Sequence, residues 1–207
     1  MAPTSGHDAS GVLGAPSALI GRDPEYSTAT TFLAAAASGP VALVLTGPVG
    51  IGKTAILRTL LVGSRRRGYR TMETRAVEAE AQLAFGGLAD LLDRSVDEVL
   101  DRLPPAQRVA LEVALQRIPA GEDPPPPLAV SLGTLAVIRA LAERASVIVA
   151  VDDLAWLDRP SARVLECALR RLTGVRVGFV STSGPTRVAR RGAAPPGLPG
   201  PSTWRGP

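Results

Sequence analysis

The stretch Val41-Ala-Leu-Val-Leu-Thr-Gly-Pro-Val-Gly-Ile-Gly-Lys-Thr54 decides the fold of this chain. Its first five residues are apolar and predict a buried strand, and residues 55–62 after it have the pattern of a helix. Between them, residues 47–54 match G-x-x-x-x-G-K-[ST] at every fixed position. A strand, a glycine-rich loop and a helix in this order predict a phosphate-binding loop, or P-loop.

Each part of this loop has a physical task. Glycines let successive backbone N–H groups converge on phosphates, and the N-terminus of the following helix adds about half a positive charge. Lys53 is predicted to supply a positive charge to the β- and γ-phosphates, and the hydroxyl of Thr54 is predicted to ligate Mg²⁺. The predicted phosphate-binding residues are Gly47, Pro48, Val49, Gly50, Ile51, Gly52, Lys53, Thr54 and Ala55.

A second candidate element is Ser146-Val-Ile-Val-Ala-Val-Asp-Asp153, an unbroken β-branched run that ends in two acids. A strand that is apolar throughout is typical of a parallel sheet covered on both faces. Ligands of such sheets bind at the carboxyl ends of the strands. We therefore predict Asp152 as a Mg²⁺ ligand and Asp153 as the base that orients or deprotonates an attacking water. The alternative is that both acids only end a strand and cap a turn.

Composition limits the other function classes. The 207 residues allow one domain, and the net charge of +4 comes from four arginines beyond residue 183, where no acid occurs; residues 1–183 carry 19 basic and 19 acidic side chains. No helix-turn-helix is evident, so direct binding of nucleic acid by this chain is not predicted. The single Cys167 excludes a disulfide framework, and no apolar run approaches 18 residues. These features predict a cytoplasmic protein that does not enter a membrane.

Periodicity and breaker residues predict the remaining elements. We expect a disordered leader at 1–17, a P-loop domain at 18–183, and a disordered tail rich in Gly, Pro and Arg at 184–207. Within the domain, a polyproline loop is expected at 121–127, and Asp158 or Ser161 is expected to cap a helix. Helices are predicted up to residue 37, at 85–92, from 104–105, at 130–144 and up to 172, and further strands at 69–77 and 175–181.

Four stretches together resemble the N-terminal ATPase region of large LuxR-type transcriptional regulators, which belong to the STAND branch of AAA+ NTPases. Domains of this type also occur in adenylate-cyclase-linked and origin-recognition-like ATPases. The segment Asp-Asp-x-x-Trp-Leu-Asp-x-x-Ser is the most specific motif. The four stretches are Leu19-Ile-Gly-Arg-Asp-Pro-Glu25, residues 47–54, Glu78-Ala-Glu-Ala-Gln-Leu-Ala-Phe-Gly-Gly-Leu-Ala-Asp-Leu-Leu92, and Val151-Asp-Asp-Leu-Ala-Trp-Leu-Asp-Arg-Pro-Ser161 with Arg170-Arg-Leu172.

The resemblance implies a three-layer α/β P-loop NTPase fold of the AAA+/STAND type that binds ATP or ADP with Mg²⁺. It implies that the backbone near Ile20 and Gly21 lies against the adenine, and that Trp156 and Leu157 pack beneath the strand of Asp152. Such proteins use ATP binding to switch between closed and oligomeric states. Self-association, or association with the other domains of a regulator, is therefore an implied partner relation.

The chain departs from that pattern after residue 183. The family has a sheet of order 5-1-4-3-2, a helical lid and a sensor residue, whereas this sequence continues with its Gly/Pro/Arg tail. We therefore expect a truncated domain that lacks the fifth strand and the lid, with residues 41–45 at an exposed sheet edge. Without an arginine donor, which can contribute roughly 10³ or more in rate, ATP hydrolysis is expected to be slow or absent.

Two other functions stay open at this stage. An independent P-loop phosphotransferase would need an acceptor site and a lid, for which residues 104–127 are the only candidate region. A non-catalytic interaction protein, or the remnant of a larger regulator, would need neither nucleotide nor acceptor.

Overall fold

A computed structural model of the chain describes residues 23–184 and 202–205. These residues form six helices and five strands, with three short 3₁₀ helices at Glu78–Glu80, Leu100–Arg102 and Leu154–Trp156. The helices are α1 (Asp23–Ser38), α2 (Lys53–Arg66), α3 (Gly86–Leu92), α4 (Pro105–Ala114), α5 (Pro127–Arg144) and α6 (Arg159–Leu169). The strands are β1 (Val41–Thr46), β2 (Arg70–Arg75), β3 (Val147–Asp152), β4 (Val177–Ser183) and β5 (Ser202–Arg205).

The strands form one sheet in the order β2-β3-β4-β1-β5, and every neighbouring pair is parallel. All six residues of β3 are buried, as its unbroken apolar sequence predicts for a strand covered on both faces. Alternate residues of β3 reach two separate cores. Ile148 and Ala150 join α1 and α2 on one face, and Val147, Val149 and Val151 join α3, α4, α5 and α6 on the other. The predicted three-layer α/β fold is therefore confirmed.

The expected loss of the fifth strand is wrong. β5 pairs with β1 from Leu43↔Ser202 to Thr46↔Arg205, so β1 is not the edge of the sheet over these residues. The tail was judged from its average Gly and Pro content, but Ser-Thr-Trp-Arg contains neither residue, and Thr and Trp favour strands. The unpaired backbone groups of a β1 edge would favour pairing with such a segment. The expectations of disorder at 1–17 and over the rest of the tail lie outside the described residues.

Smaller differences concern the ends of elements. The last strand of the domain core, β4, runs to Ser183 rather than 181, which brings Thr182 into the sheet. Helix α3 begins at Gly86, because Phe85 takes a left-handed backbone conformation with φ of 64° and directs its N–H elsewhere. The predicted helix at 130–144 begins three residues earlier, at Pro127, where the ring of proline suits the first turn of a helix.

Candidate functional site

The P-loop has the backbone form that its glycines predict. Gly50 and Gly52 have φ values of 84° and 93°, a left-handed conformation that residues with a side chain rarely adopt. Gly52 immediately precedes α2, so the loop ends at the N-terminus of a 14-residue helix. Backbone N–H groups and the positive end of the helix dipole therefore meet at one place, which is an arrangement suited to phosphate.

Lys53 is the first residue of α2, and its side chain contacts the loop that precedes the helix. Its side chain is only 8% exposed, and its ammonium donates hydrogen bonds to the carbonyl oxygens of Gly47 at 3.0 Å and Pro48 at 2.9 Å. Among the described residues no acid forms an ion pair with it. A buried charge is costly unless it is paired, so the loop holds a positive charge that an anion would stabilise.

Thr54 and Asp152 meet although 98 residues separate them in sequence. The hydroxyl of Thr54 donates to Oδ1 of Asp152 at 3.1 Å. Two adjacent ligands of an octahedral Mg²⁺ at 2.0–2.1 Å would lie about 2.9 Å apart, so these two oxygens already have almost that spacing. The donor set of one hydroxyl and one carboxylate, beside a phosphate loop, fits Mg²⁺ in its chemistry as well.

Thr182 connects the two aspartates and was not identified from the sequence. Its hydroxyl donates to Oδ1 of Asp152 at 2.6 Å and accepts from the backbone N–H of Asp153 at 2.7 Å. The residue is fully buried at the end of β4, the strand that lies between β1 and β3. The only signal in the sequence was a polar residue at the carboxyl end of an apolar strand, and its partners depend on the strand order.

Asp153 occupies a strained position directly after β3. Its φ and ψ of 56° and 53° place it in the left-handed region, which Asp tolerates better than most residues. Burial raises the pKa of its carboxyl group, and the negative charge of Asp152 raises it further, while the positive charges of Lys53 and Arg75 act in the opposite direction. A carboxylate with a raised pKa is a stronger base than an ordinary aspartate.

Asp158 and Ser161 clamp the start of α3 onto the loop that follows Asp153. The carboxylate of Asp158 accepts from the N–H groups of Phe85 at 3.0 Å and Gly87 at 3.1 Å, and it also caps α6 by accepting from Ser161 N at 2.9 Å. The hydroxyl of Ser161 accepts from Leu88 N at 2.9 Å. Asp158, rather than Ser161, is thus the cap of α6, and both side chains also satisfy the first N–H groups of α3.

Close packing accompanies this clamp. A Cβ atom at Gly87 would lie 2.3 Å from Cδ1 of Leu157, so a larger residue would require this buried side chain to shift. Leu157 is buried in the core on the α5 and α6 side of the sheet, and Trp156 packs against that core while partly buried. The structure therefore joins the Phe-Gly-Gly segment to the Trp-Leu-Asp segment by direct contact.

Two other predicted regions remain to be placed relative to this site. Ile20 and Gly21, predicted to lie against the adenine, are outside the described residues. The acceptor region considered at 104–127 contains α4, which packs against α5 in the core on the opposite face of the sheet from Thr54. In the part of the chain that the structure covers, no helix combines the length and the apolar character needed to cross a membrane.

The parallel three-layer fold, the glycine-rich loop before α2 and the Thr54–Asp152 contact together define a P-loop NTPase domain. A family profile described as the AAA ATPase domain matches residues 18–180, and the chain belongs to this family. The domain is thus a nucleotide-binding module of the AAA+ ATPase type. A comparison with curated proteins finds no match.

Solved structures with the same fold include a chain from the Drosophila ORC bound to DNA. Its identity to this sequence is 18% and the TM-score is 0.52, and the match covers 91% of this chain and 43% of that one. A chain of the E. coli MS115-1 HORMA:CdnC:Trip13 complex matches with 13% identity and a TM-score of 0.42, over 84% of this chain and 60% of that one. This chain therefore spans less than two thirds of the length of either structure.

Proposed function

We propose that this domain binds Mg·ATP as the switch module of a STAND-type signalling regulator of the LuxR type, and that it hydrolyses ATP slowly or not at all. The observation that carries the proposal is the buried ammonium of Lys53, which lies on a glycine-rich loop without an acidic partner among the described residues. An anion with several negative charges would supply the missing partner.

The groups around Lys53 support a triphosphate with Mg²⁺ rather than a simple anion. Thr54 and Asp152 would hold the Mg²⁺, whose role is to neutralise charge on the β- and γ-phosphates. Asp153 would orient an attacking water and accept its proton, and burial raises its pKa in the direction that favours this role. Thr182 would hold both aspartates in place through its two hydrogen bonds.

The regulator context is supported by the motif stretches and by the way they are joined. Residues 78–92 and 151–161 resemble segments of LuxR-type regulators, and in this chain they are held together by Asp158 and Ser161. A chain of contacts therefore runs from Asp153 through the 3₁₀ turn Leu154–Trp156 to α3. In this proposal the domain works in the cytoplasm, and ATP binding controls its association with other domains or with further copies of itself.

The test is stabilisation by nucleotide. A ligand at a hundredfold excess over Kd adds about 2.7 kcal/mol to the free energy of unfolding, which corresponds to a rise in Tm of about 5–11 °C for a domain of this size. Lys53→Ala should abolish the rise with Mg·ATP, and Lys53→Arg should show how far a guanidinium can replace the compact ammonium. Arg163→Ala, an exposed position on α6, is the matched control and should keep the full rise.

Two results would reject the proposal. One is an unchanged Tm with millimolar ATP or ADP in the presence of Mg²⁺, and the other is an equal rise in the wild type and in Lys53→Ala. A phosphate-release assay on the same samples measures hydrolysis, which we expect to be slow relative to the 1–100 s⁻¹ of typical kinases.

A further inference from the structure

A cavity of about 640 Å³ lies along β2, between α2 and the segment that begins with α3. Its walls come from residues 57–65 of α2, from residues 71–75 of β2 and from residues 89–95. Asp152, the residue that accepts from Thr54, is also part of the lining. The volume falls within the range of 300–1,000 Å³ that is typical of sites for small molecules, and the cavity borders the proposed Mg²⁺ site without including the P-loop itself.

Three arginines that line this cavity form no ion pair within the part of the chain that the structure describes, although the charge of Arg75 acts on the carboxyl group of Asp153. Arg58, Arg75 and Arg94 all line the cavity, all are exposed, and none of them forms an ion pair or hydrogen bond with the residues that the structure describes. Arg65, the fourth arginine in the lining, behaves differently, since it pairs with Glu73. Guanidinium groups are the side chains best suited to hold phosphate oxygens, because their N–H groups match that geometry.

Of the four acids that line the same cavity, two are engaged with other side chains and two can still accept hydrogen bonds. Glu73 pairs with Arg65 at 2.5 Å, and Asp152 accepts from two threonine hydroxyls. Asp90 accepts from Thr74 at 3.4 Å, which is a long hydrogen bond that leaves it able to accept another donor. Asp90 and Asp93 therefore remain as acceptors for hydroxyl groups, while the three arginines remain for an anion.

We propose that this cavity binds a small phosphate monoester that carries hydroxyl groups, with its phosphate held by Arg58, Arg75 and Arg94 and its hydroxyls by Asp90 and Asp93. This site is separate from the P-loop, and its occupation does not depend on the proposed nucleotide function. Because Asp152 lines the cavity and also belongs to the proposed Mg²⁺ site, the two ligands influence each other's affinity.

The experiment titrates the full chain with glucose 6-phosphate by isothermal titration calorimetry at constant ionic strength. Two forms are used: the wild type saturated with Mg·ADP, and Lys53→Ala without nucleotide, so that the P-loop does not report the phosphate. Both forms should give one saturable site, and glucose should give none. Arg58→Ala with Arg94→Ala should weaken the affinity at least about tenfold. Arg163→Ala on α6 with Arg170→Ala directly after it should leave the affinity unchanged.

The outcomes distinguish a failure of the monoester site from a failure of Mg·ATP binding. Saturable binding to Lys53→Ala, lost in the Arg58 and Arg94 double variant, supports the monoester site even if nucleotide fails to stabilise the wild type. The absence of saturable heat in both forms overturns it, as does equal loss in the control pair. Equal affinity for inorganic phosphate would overturn the assignment to a hydroxyl-bearing monoester. All four replaced arginines are exposed, and circular dichroism with a thermal melt confirms that each variant is folded.

Discussion

Replacement of Asp158 by alanine tests how the start of α3 is held. The carboxylate is 3% exposed and accepts three hydrogen bonds, from the backbone N–H groups of Phe85, Gly87 and Ser161. Loss of the cap of α6 costs about 1 kcal/mol. Each of the two other donors loses a hydrogen bond to a charged group, worth about 1.5–3 kcal/mol, although water that enters the space would recover part of it.

These contributions add to about 4–7 kcal/mol, and with the part that water recovers we expect a loss of about 3–5 kcal/mol in the free energy of unfolding. This is a large fraction of the roughly 5–15 kcal/mol typical of a domain. Urea denaturation followed by circular dichroism measures it, and Tm should fall by about 6–20 °C. Asp158→Asn keeps an oxygen acceptor but not the charge, so its loss should be intermediate. Asp123→Ala, in the exposed loop before α5, is the matched control and should stay within about 0.5 kcal/mol of the wild type.

Hydrogen exchange then identifies the contacts themselves. Asp158→Ala should lower the protection of the Phe85, Gly87 and Ser161 amides, whereas Ser161→Ala should lower that of Leu88, whose N–H donates to the Ser161 hydroxyl. This crossed pattern follows only if the two side chains hold different amides. A loss below about 1 kcal/mol for Asp158→Ala, with the protection of Phe85 and Gly87 unchanged, would refute the reasoning.

Two further predictions concern the residues next to the proposed Mg²⁺ site. Because burial and Asp152 raise the pKa of Asp153, the stabilising contribution of this group is fully present below the ordinary value of 3.8 and is lost as pH rises through the raised pKa. Asp153→Asn should therefore have a higher Tm than the wild type at pH 7, and this difference should shrink near pH 3.5. A difference that is equal at both pH values would come only from the left-handed backbone of residue 153. Thr182→Val keeps the shape of the side chain but leaves Asp153 N without its acceptor, so it should lower the free energy of unfolding by about 1–3 kcal/mol in urea denaturation and reduce the thermal shift with Mg·ATP. Thr182→Ser should retain the stability and the thermal shift. A Val variant that equals the wild type would contradict the role of the hydroxyl.

Contiguous features of the sequence were the ones that could be predicted. The eight residues of the P-loop carry their own geometry, since glycine at positions 50 and 52 permits the positive φ that the loop requires. The apolar run of β3 predicted burial on both faces for the same reason, because each residue contributes independently to the pattern. Asp152 followed from its place at the end of that run, and the Thr54 contact confirms that the two residues meet.

Features that depend on distant pairing could not be predicted. The hydrogen bonds at the start of α3 join residues that are separated by 71 or 73 positions in the sequence. Only the fold determines that Asp158 faces Phe85 and Gly87. β5 was missed because four strand-forming residues are hidden in the average composition of a tail rich in Gly and Pro. The three cavity arginines that form no ion pair with described residues could not be recognised either, since any arginine in a sequence can pair with an acid or lie in water.

The strand order explains why Thr182 belongs to the site. In the sheet, β4 lies between β1, which leads into the P-loop, and β3, which ends at Asp152. Neighbouring strands are about 4.8 Å apart, so the ends of β1 and β3 are separated by nearly 10 Å, with the end of β4 between them. Thr54 reaches Asp152 across this gap from the start of α2, and the residue at the end of β4 must be small enough to leave room for that contact.

The residue at the end of β4 must also be polar, because it is buried beside the carboxylate of Asp152. Thr182 meets both conditions: it donates to Asp152 and accepts from Asp153 N, so its own buried hydroxyl has partners both as donor and as acceptor. In a parallel sheet of this order, the strand between the P-loop strand and the acidic strand should therefore end in a small residue that can both donate and accept a hydrogen bond. In this sequence the Ser-Thr-Ser run at 181–183 fulfils that requirement, and the strand order selects its middle residue.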